Sequence, residues 1–191
     1  MPLQTATLWG LVENAGTDLP LTLQRLMRRL YGHLVELDEQ VKDLEAQIRE
    51  WHRQSELSQR IEKVPGIGPL TATALVASIA DARSFENGRQ LAAWLGLVPR
   101  QHSNGGKPTL LGFSKRGDVC LQTLMIHGAR AAVLGAQRRS AADPWLTGLL
   151  ARRNANVATV ALANKNARTV WALLAHDREF RPDYVSLPMA A

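Results

Sequence analysis

The stretch Trp94-Leu-Gly-Leu-Val-Pro-Arg-Gln-His-Ser-Asn-Gly-Gly-Lys107, continued by Phe113-Ser-Lys-Arg-Gly-Asp118, separates two apolar segments of the chain. It begins as the end of an apolar helix, is broken at Pro99, and is predicted to become a polar loop. Its paired glycines let the backbone approach a bulky ligand, and bare amides beside cations suit a phosphate. A polar surface loop whose Ser and Asn side chains cap turns is the alternative.

A second glycine-rich turn lies upstream, at Val64-Pro-Gly-Ile-Gly-Pro69. Gly66 and Gly68 permit backbone angles that other residues resist, and Pro69 suits the first turn of the following helix. The pattern resembles a helix-hairpin-helix, in which backbone amides grip a nucleic-acid phosphate without reading its sequence. Lys63 is placed to add positive charge. A purely structural hairpin is the alternative.

A long helical repeat precedes this turn. Its apolar residues alternate spacings of three and four, which is typical of a coiled-coil seam. The seam consists of Met27, Leu30, Leu34, Leu37, Val41, Leu44, Ile48 and Trp51. We predict a homo-oligomer formed through residues 27–51, in preference to packing within one chain, because no other segment offers an equally long apolar stripe.

Downstream, Asp118 and Asp143 are predicted to cap the starts of two helices. The last helix carries Asn164-Lys-Asn-Ala-Arg168 in its middle. This run is either a solvated face or a set of phosphate contacts. The predicted organisation is a lead-in over 1–20, a coiled-coil arm over 21–60, a compact domain over 61–181 and a tail over 182–191. The predicted fold is mainly α, with a helix-hairpin-helix and a Gly-rich catalytic loop in the compact domain.

Charge is unevenly distributed along the 191 residues, whose net charge is +6. From Lys63 onward there are 16 Lys and Arg against 7 Asp and Glu, a net charge of +9, which leaves −3 for residues 1–62. The contact with a polyanion is therefore predicted in the C-terminal two-thirds of the chain, and the acidic arm is predicted to be architectural.

The chain's other bulk properties exclude several classes of protein. A single cysteine, Cys120, rules out an internal disulfide and fits a reducing cytoplasm. The scattered histidines form no close zinc-ligand pair, and no apolar run reaches the length of a membrane span. We predict a cytoplasmic protein that contacts no membrane and holds neither a metal nor another cofactor in this chain.

The chemistry open to these residues is that of a hydroxyl nucleophile. A metal-dependent nuclease needs converging carboxylates, whereas the acids of the basic region are dispersed. Ser103 is the best-placed hydroxyl, and its attack on DNA phosphorus would give a phosphoserine link. Neighbouring cations would stabilise the developing charge on the phosphoryl oxygens. His102 is a poor candidate for the base, since adjacent residues of an extended segment point to opposite sides.

Several blocks of sequence, in order, resemble the C-terminal domain of the DEDD-type, bridge-RNA-guided insertion-sequence transposases. The blocks are Pro-Gly-Ile-Gly-Pro-Leu-Thr-Ala at 65–72, Leu-Ala-Ala-Trp-Leu-Gly-Leu-Val-Pro-Arg-Gln at 91–101, Ser-Asn-Gly-Gly-Lys at 103–107, Ser-Lys-Arg-Gly-Asp at 114–118, Ile-His-Gly-Ala-Arg at 126–130 and Val-Ala-Leu-Ala-Asn-Lys-Asn-Ala-Arg at 160–168. The resemblance implies DNA and a guide (bridge) RNA as partners. It also implies that a RuvC-like domain holds a divalent metal and that a coiled coil joins the subunits. Ser103 stands where the family's nucleophilic serine belongs.

Two features depart from that family pattern. The four acids of a RuvC-like domain have no counterparts in this chain, and Gln122 stands near a position where an arginine is expected. We therefore expect the chain to bind DNA or structured RNA but not to recombine DNA unaided. A non-catalytic helix-hairpin-helix module that dimerises through its coil is the alternative function. The predicted nucleic-acid contacts are Lys63, Gly66, Gly68, Arg100, Lys107, Lys115, Arg116 and Arg130.

Overall fold

A computed structural model of the chain describes residue 10 and residues 19–104, 107–113, 117–138 and 143–182; in the two strands it describes the backbone alone. The fold is mainly helical, as predicted. The chain divides between Arg49 and Glu50 into two compact units, which are taken in turn.

The first unit is built on helix α1, Leu21–Gln54, whose last residues belong to the second unit. The helix begins after Pro20, whose carbonyl accepts from the amides of Leu23 and Gln24. On its outer surface, pairs such as Arg49 with Glu45 at 2.8 Å stabilise the helix by roughly 0.3–0.5 kcal/mol each. Several apolar side chains of the predicted seam are exposed to solvent in the described part of the chain: Leu30, Leu37, Val41 and Leu44 are 44–61% exposed.

The second unit contains the remaining described elements. They are α2 (Glu56–Glu62), α3 (Pro69–Ser78), a 3₁₀ turn (Ala82–Ser84), α4 (Gly88–Trp94), β1 (Pro99–Asn104), β2 (Lys107–Phe113), α5 (Val119–Arg138), α6 (Pro144–Leu150) and α7 (Ala155–Ala175). The predicted N-caps are confirmed, because Asp118 accepts from the amides of Cys120 and Leu121 and Asp143 accepts from that of Trp145.

Helix α7 lies at the centre of this unit. It packs against α2, α4, α5, α6 and the 3₁₀ turn. Its buried residues include several alanines, such as Ala158, Ala163 and Ala167, which let neighbouring backbones approach closely. The core around it is formed by large apolar side chains from the other helices and, in the case of Leu95, from the C-cap residue of α4: Ile61, Leu75, Leu91, Leu95 and Met125.

The stretch predicted as a polar loop is a two-stranded antiparallel ribbon, so that part of the prediction was wrong. Gln101 pairs with Leu110 and Asn104 with Lys107, with an irregularity between Pro99 and Gln101. Two glycines between extended segments suit a tight hairpin as well as a loop, and pairing of the flanking residues decides between them. Gly105 and Gly106 themselves lie outside the described residues.

Helix α5 is long and apolar enough to cross a membrane by length and composition. Leu121, Met125, Ala129 and Val133 recur every fourth residue along it and are all buried. This row belongs to the core of the second unit, where α5 packs against α3 and α7. Because 22% of its apolar stretch is buried, this core row accounts for only part of the apolar character of the helix.

Candidate nucleic-acid interface

The glycine-rich turn joins α2 to α3 and keeps its apolar residues inside. Val64 and Ile67 are buried, and the amide of Ile67 donates to the carbonyl of Val64 at 3.0 Å. Gly66 has a φ of +91°, a conformation that strongly favours glycine. Gly68 occupies the N-cap position of α3 with an extended backbone, but it has no side chain to bond to the first amides of the helix, so the helix start has no side-chain cap there. A Cβ at Gly68 would meet nothing within 4 Å, so the space beside this cap is open.

The turn is in backbone contact with α5. A Cβ at Gly66 would lie 2.8 Å from the carbonyl oxygen of Gly128, so there is no room for a side chain at either of these two glycines. Arg130, exposed on α5, follows Gly128 by two residues. The glycine turn thus contacts the segment that ends at Arg130, but positions 128 and 130 lie about 200° apart around α5, so Arg130 is on another face of the helix.

Two asparagines of α7 form hydrogen bonds to the glycine turn and to the segment that precedes the ribbon. Asn166 is buried and donates to the carbonyl of Pro65 at 2.8 Å, within the glycine turn. Asn164 donates to the carbonyl of Leu97 at 3.0 Å, directly before the ribbon. One turn of α7 therefore positions both the glycine turn and the base of the ribbon. Asn164 and Asn166 are therefore structural, a role that neither alternative for the run 164–168 predicted.

The two ends of the ribbon are fixed to each other and to α5. Gly117 has a φ of +119°, and a Cβ there would lie 2.6 Å from the carbonyl oxygen of Trp94. Gln122 donates to the carbonyl of Gly96 at 2.7 Å. The side chain found where an arginine was expected thus anchors the entry to the ribbon.

The register of the ribbon places Ser103 opposite Pro108. Because Pro108 has no N–H, this is a pair without its hydrogen bonds, as alternate pairs of an antiparallel ladder are. Adjacent strand positions belong to opposite faces, so positions 102 and 103 lie on opposite faces. Lys107 pairs with Asn104, the position next to Ser103, so positions 107 and 103 lie on opposite faces of the ribbon. The side chains of Arg100, Ser103 and Lys107 lie outside the description, as do residues Lys115 and Arg116 altogether.

Lys63, at the end of α2, is held in an ion pair. Its amine donates to a carboxylate oxygen of Glu179 at 2.5 Å, and this lowers the pKa of Glu179 below its ordinary value. Arg60 forms ion pairs with both Asp177 and Glu179. The predicted phosphate contact Lys63 is therefore exposed but already faces one anion of its own chain.

A hydrogen-bonded serine, histidine and glutamate lie near the start of the second unit, and sequence reasoning missed them. His52 Nδ1 lies 2.7 Å from Ser58 Oγ, and His52 Nε2 lies 2.8 Å from a carboxylate oxygen of Glu62. The order resembles a nucleophilic triad. Ser58 is, however, completely buried, so no substrate can reach its hydroxyl. The cluster joins the end of α1 to α2 and serves the fold. The available signal was the i, i+4 spacing of Ser58 and Glu62 on α2, shortly after His52 at the end of α1.

Acidic, histidine and cysteine side chains do not converge within the described part of the chain. No group of three of them there is placed to hold a metal ion. That the chain carries no metal stays a prediction.

Comparison with known proteins relates part of this chain to a protein family. Residues 58–144 match the family described as Transposase IS116/IS110/IS902. The matched segment contains the glycine turn, the ribbon and α5.

Individual relatives are also transposases by name. The chain is 53% identical over 165 residues to a probable family 20 transposase of Pseudomonas aeruginosa, covering 86% of this chain and 49% of the relative. It is 45% identical over 160 residues to the transposase for insertion sequence element IS1111A of Coxiella burnetii, covering 83% and 44%. The chain spans about half the length of the curated relatives it matches. Residues 58–144 therefore carry a transposase domain of the IS116/IS110/IS902 family.

Proposed function

We propose that this chain binds DNA and supplies the serine-bearing part of a transposase that acts by phosphoryl transfer. One observation carries the proposal. Within and beside the family match, Asn166 and Asn164 of α7 hold the glycine turn and the base of the Ser103 ribbon through the carbonyls of Pro65 and Leu97. A scaffold that fixes a phosphate-binding turn relative to a nucleophile is what a DNA-joining reaction requires.

Binding is proposed to start at the glycine turn, acting as a helix-hairpin-helix. The uncapped start of α3 at Gly68 offers amides to a phosphate, and the helix dipole favours the negative charge. Arg130 is exposed on α5, which contacts the turn at Gly128. Lys63 joins this surface when a phosphate takes the place of Glu179 at its amine.

In the proposed chemical step, Ser103 Oγ attacks a phosphorus atom of the DNA backbone. A bond forms between Oγ and phosphorus, and the bond from phosphorus to one sugar oxygen breaks. The hydroxyl proton goes to solvent, and the departing sugar oxygen takes up a proton. The phosphoserine link keeps the energy of the broken bond for rejoining, while Arg100, Lys115 and Arg116 stabilise the phosphoryl oxygens. Lys107 pairs with Asn104 on the face opposite Ser103, so it is proposed to contact a neighbouring phosphate of the DNA backbone.

The remaining partners are proposed from the resemblance and from the open seam. A second copy of the chain pairs along residues 27–51, where the exposed apolar side chains of α1 would be buried. A guide (bridge) RNA is the second nucleic acid. A divalent metal would be held by a RuvC-like domain and not by residues of this chain.

Trapping a covalent intermediate tests the proposal. A DNA substrate with sulfur in place of the leaving oxygen captures one attack, and denaturing gels then reveal a protein–DNA adduct. Because the proposed reaction needs a RuvC-like domain, the assay supplies that domain and a guide RNA alongside the chain. In that mixture we expect the chain and its Ser114→Ala variant to form the adduct, and Ser103→Ala to form none while still binding DNA. Salt-dependent binding without any adduct from the unaltered chain in the complete mixture would leave only a nucleic-acid-binding module.

A further inference from the structure

A concave notch lies where the start of α4 crosses α7. Its volume is about 390 Å³, and it is lined by Asn87, Gly88, Arg89, Arg168, Trp171 and Ala172. The two backbones touch here: a Cβ at Gly88 would lie 2.9 Å from the Cα of Arg168. This crossing brings two arginines from separate parts of the sequence to one opening. Of these residues only Arg168 has been considered above, as the end of the run 164–168.

In the part of the chain that the structure describes, the two arginines have no acidic partner. Both are exposed, and neither guanidinium has a hydrogen bond or ion pair there. By contrast, Arg60 and Lys63 are paired with acids. Asn87 Oδ1 already accepts from the amides of Arg89 and Gln90, so the attraction for an anion comes from the guanidinium groups. Such groups match the geometry of a phosphate.

The floor of the notch is apolar and held in place. The indole N–H of Trp171 donates to the carbonyls of Ala82 and Phe85, at 3.1 Å each. The ring is further contacted edge-on by His176, with centroids 5.0 Å apart. Beside it lies the methyl group of Ala172. A duplex backbone needs only surface cations, whereas an exposed base also needs a flat apolar surface and stacks on aromatic rings or guanidinium planes.

We propose that this notch binds one nucleotide with an unpaired base, as part of a nucleic-acid strand. Its phosphate lies between the guanidinium groups of Arg89 and Arg168, and its base lies over Trp171 and Ala172. The inference rests on the proposed function, because it assumes a nucleic-acid partner. Strand exchange makes unpaired nucleotides next to broken backbones, so such a subsite belongs with that chemistry. The strand is DNA or RNA, and the experiment distinguishes them.

Binding of labelled single-stranded DNA, single-stranded RNA and duplex DNA of one sequence is measured by fluorescence anisotropy over a range of salt. The variants are Arg89→Gln, Arg168→Gln and Ala172→Leu. The control is Arg138→Gln, which removes an exposed arginine from the end of α5. We expect each notch arginine variant to lower the slope of log affinity against log salt by about 0.7 for a single strand. Ala172→Leu fills the floor and should weaken single-strand binding roughly five- to tenfold with the slope unchanged.

The outcomes separate the possibilities. A larger loss on RNA assigns the notch to a guide strand, and a larger loss on DNA assigns it to a cleaved strand; both support the subsite. The inference fails if the notch variants behave like Arg138→Gln while binding persists, or if duplex and single strands lose affinity equally. Absence of binding by the unaltered chain overturns the proposed function itself.

Discussion

The carbonyl oxygen of Gly66 occupies the place of the side chain that Gly128 lacks. A Cβ built at residue 128 would lie 1.9 Å from that oxygen, far inside van der Waals contact. The contact joins the turn between α2 and α3 to the middle of α5. Both glycines are therefore required by packing, whatever the turn binds.

Replacement of Gly128 by alanine should destabilise the second unit by about 3 kcal/mol, because either the turn or α5 must move to admit the methyl group. Urea unfolding followed by circular dichroism measures this. Gly135→Ala is the matched control on the same helix, since a Cβ there meets nothing within 4 Å. That change should raise stability by about 0.5–1 kcal/mol. Equal effects of the two substitutions would contradict the close contact.

Asn166→Asp should disturb the glycine turn specifically. The amide donor to the Pro65 carbonyl is replaced by a carboxylate oxygen, so an attraction at 2.8 Å becomes a repulsion in a buried place. The cost is expected to be about 2–3 kcal/mol. Amide hydrogen exchange at Ile67 should accelerate as well. Asn156→Asp, exposed in the first turn of α7, is the control and should be neutral or slightly stabilising. Unchanged exchange at Ile67 would show that Asn166 does not hold the turn.

The carboxylate of Glu179 should titrate below its ordinary value of 4.5, chiefly because Lys63 donates to it. A pKa lowered by folding means that the contribution to stability is present above the unfolded value and is lost as pH falls through the folded one. Lys63→Met should therefore raise the pKa of Glu179, measured by carbon NMR titration. The stability difference between the two proteins should vanish in acid.

Lys165→Met is the control for this titration, because Lys165 pairs with Asp143 and is not among the groups that shift the pKa of Glu179. A pKa of Glu179 that is the same in the unaltered protein and in Lys63→Met would refute the ion pair. Both side chains are exposed, so the effect on stability is expected to be small.

The open seam on α1 predicts self-association that single substitutions weaken. Leu37→Glu or Leu44→Glu places a charge where an interface would bury a leucine, and each should raise the dissociation constant at least about tenfold. Sedimentation velocity measures the change. Ala46→Glu adds the same charge outside the seam and should leave assembly intact. A chain that is monomeric throughout, or one in which all three variants assemble alike, would exclude the seam as the interface.

The sequence by itself determined the local features of this protein. Heptad spacing marked α1, Asp118 and Asp143 marked two helix starts, and the glycine and proline pattern marked the turn before α3. Each of these depends on residues a few positions apart, so the signal is contained in the chain. The uneven distribution of charge was equally visible.

Only the tertiary structure decided what joins distant residues. The contact of Gly66 with Gly128, the bonds from Asn164 and Asn166 to the ribbon and the turn, and the meeting of Arg89 with Arg168 depend on how the helices cross. The ribbon was mistaken for a loop for the same reason, since a strand exists only with its partner. The sequence shows four polar side chains in one helical run, Asn164, Lys165, Asn166 and Arg168, and does not distinguish their roles. Packing around α7 gives Asn164 and Asn166 to the scaffold, pairs Lys165 with Asp143, and leaves Arg168 facing outward.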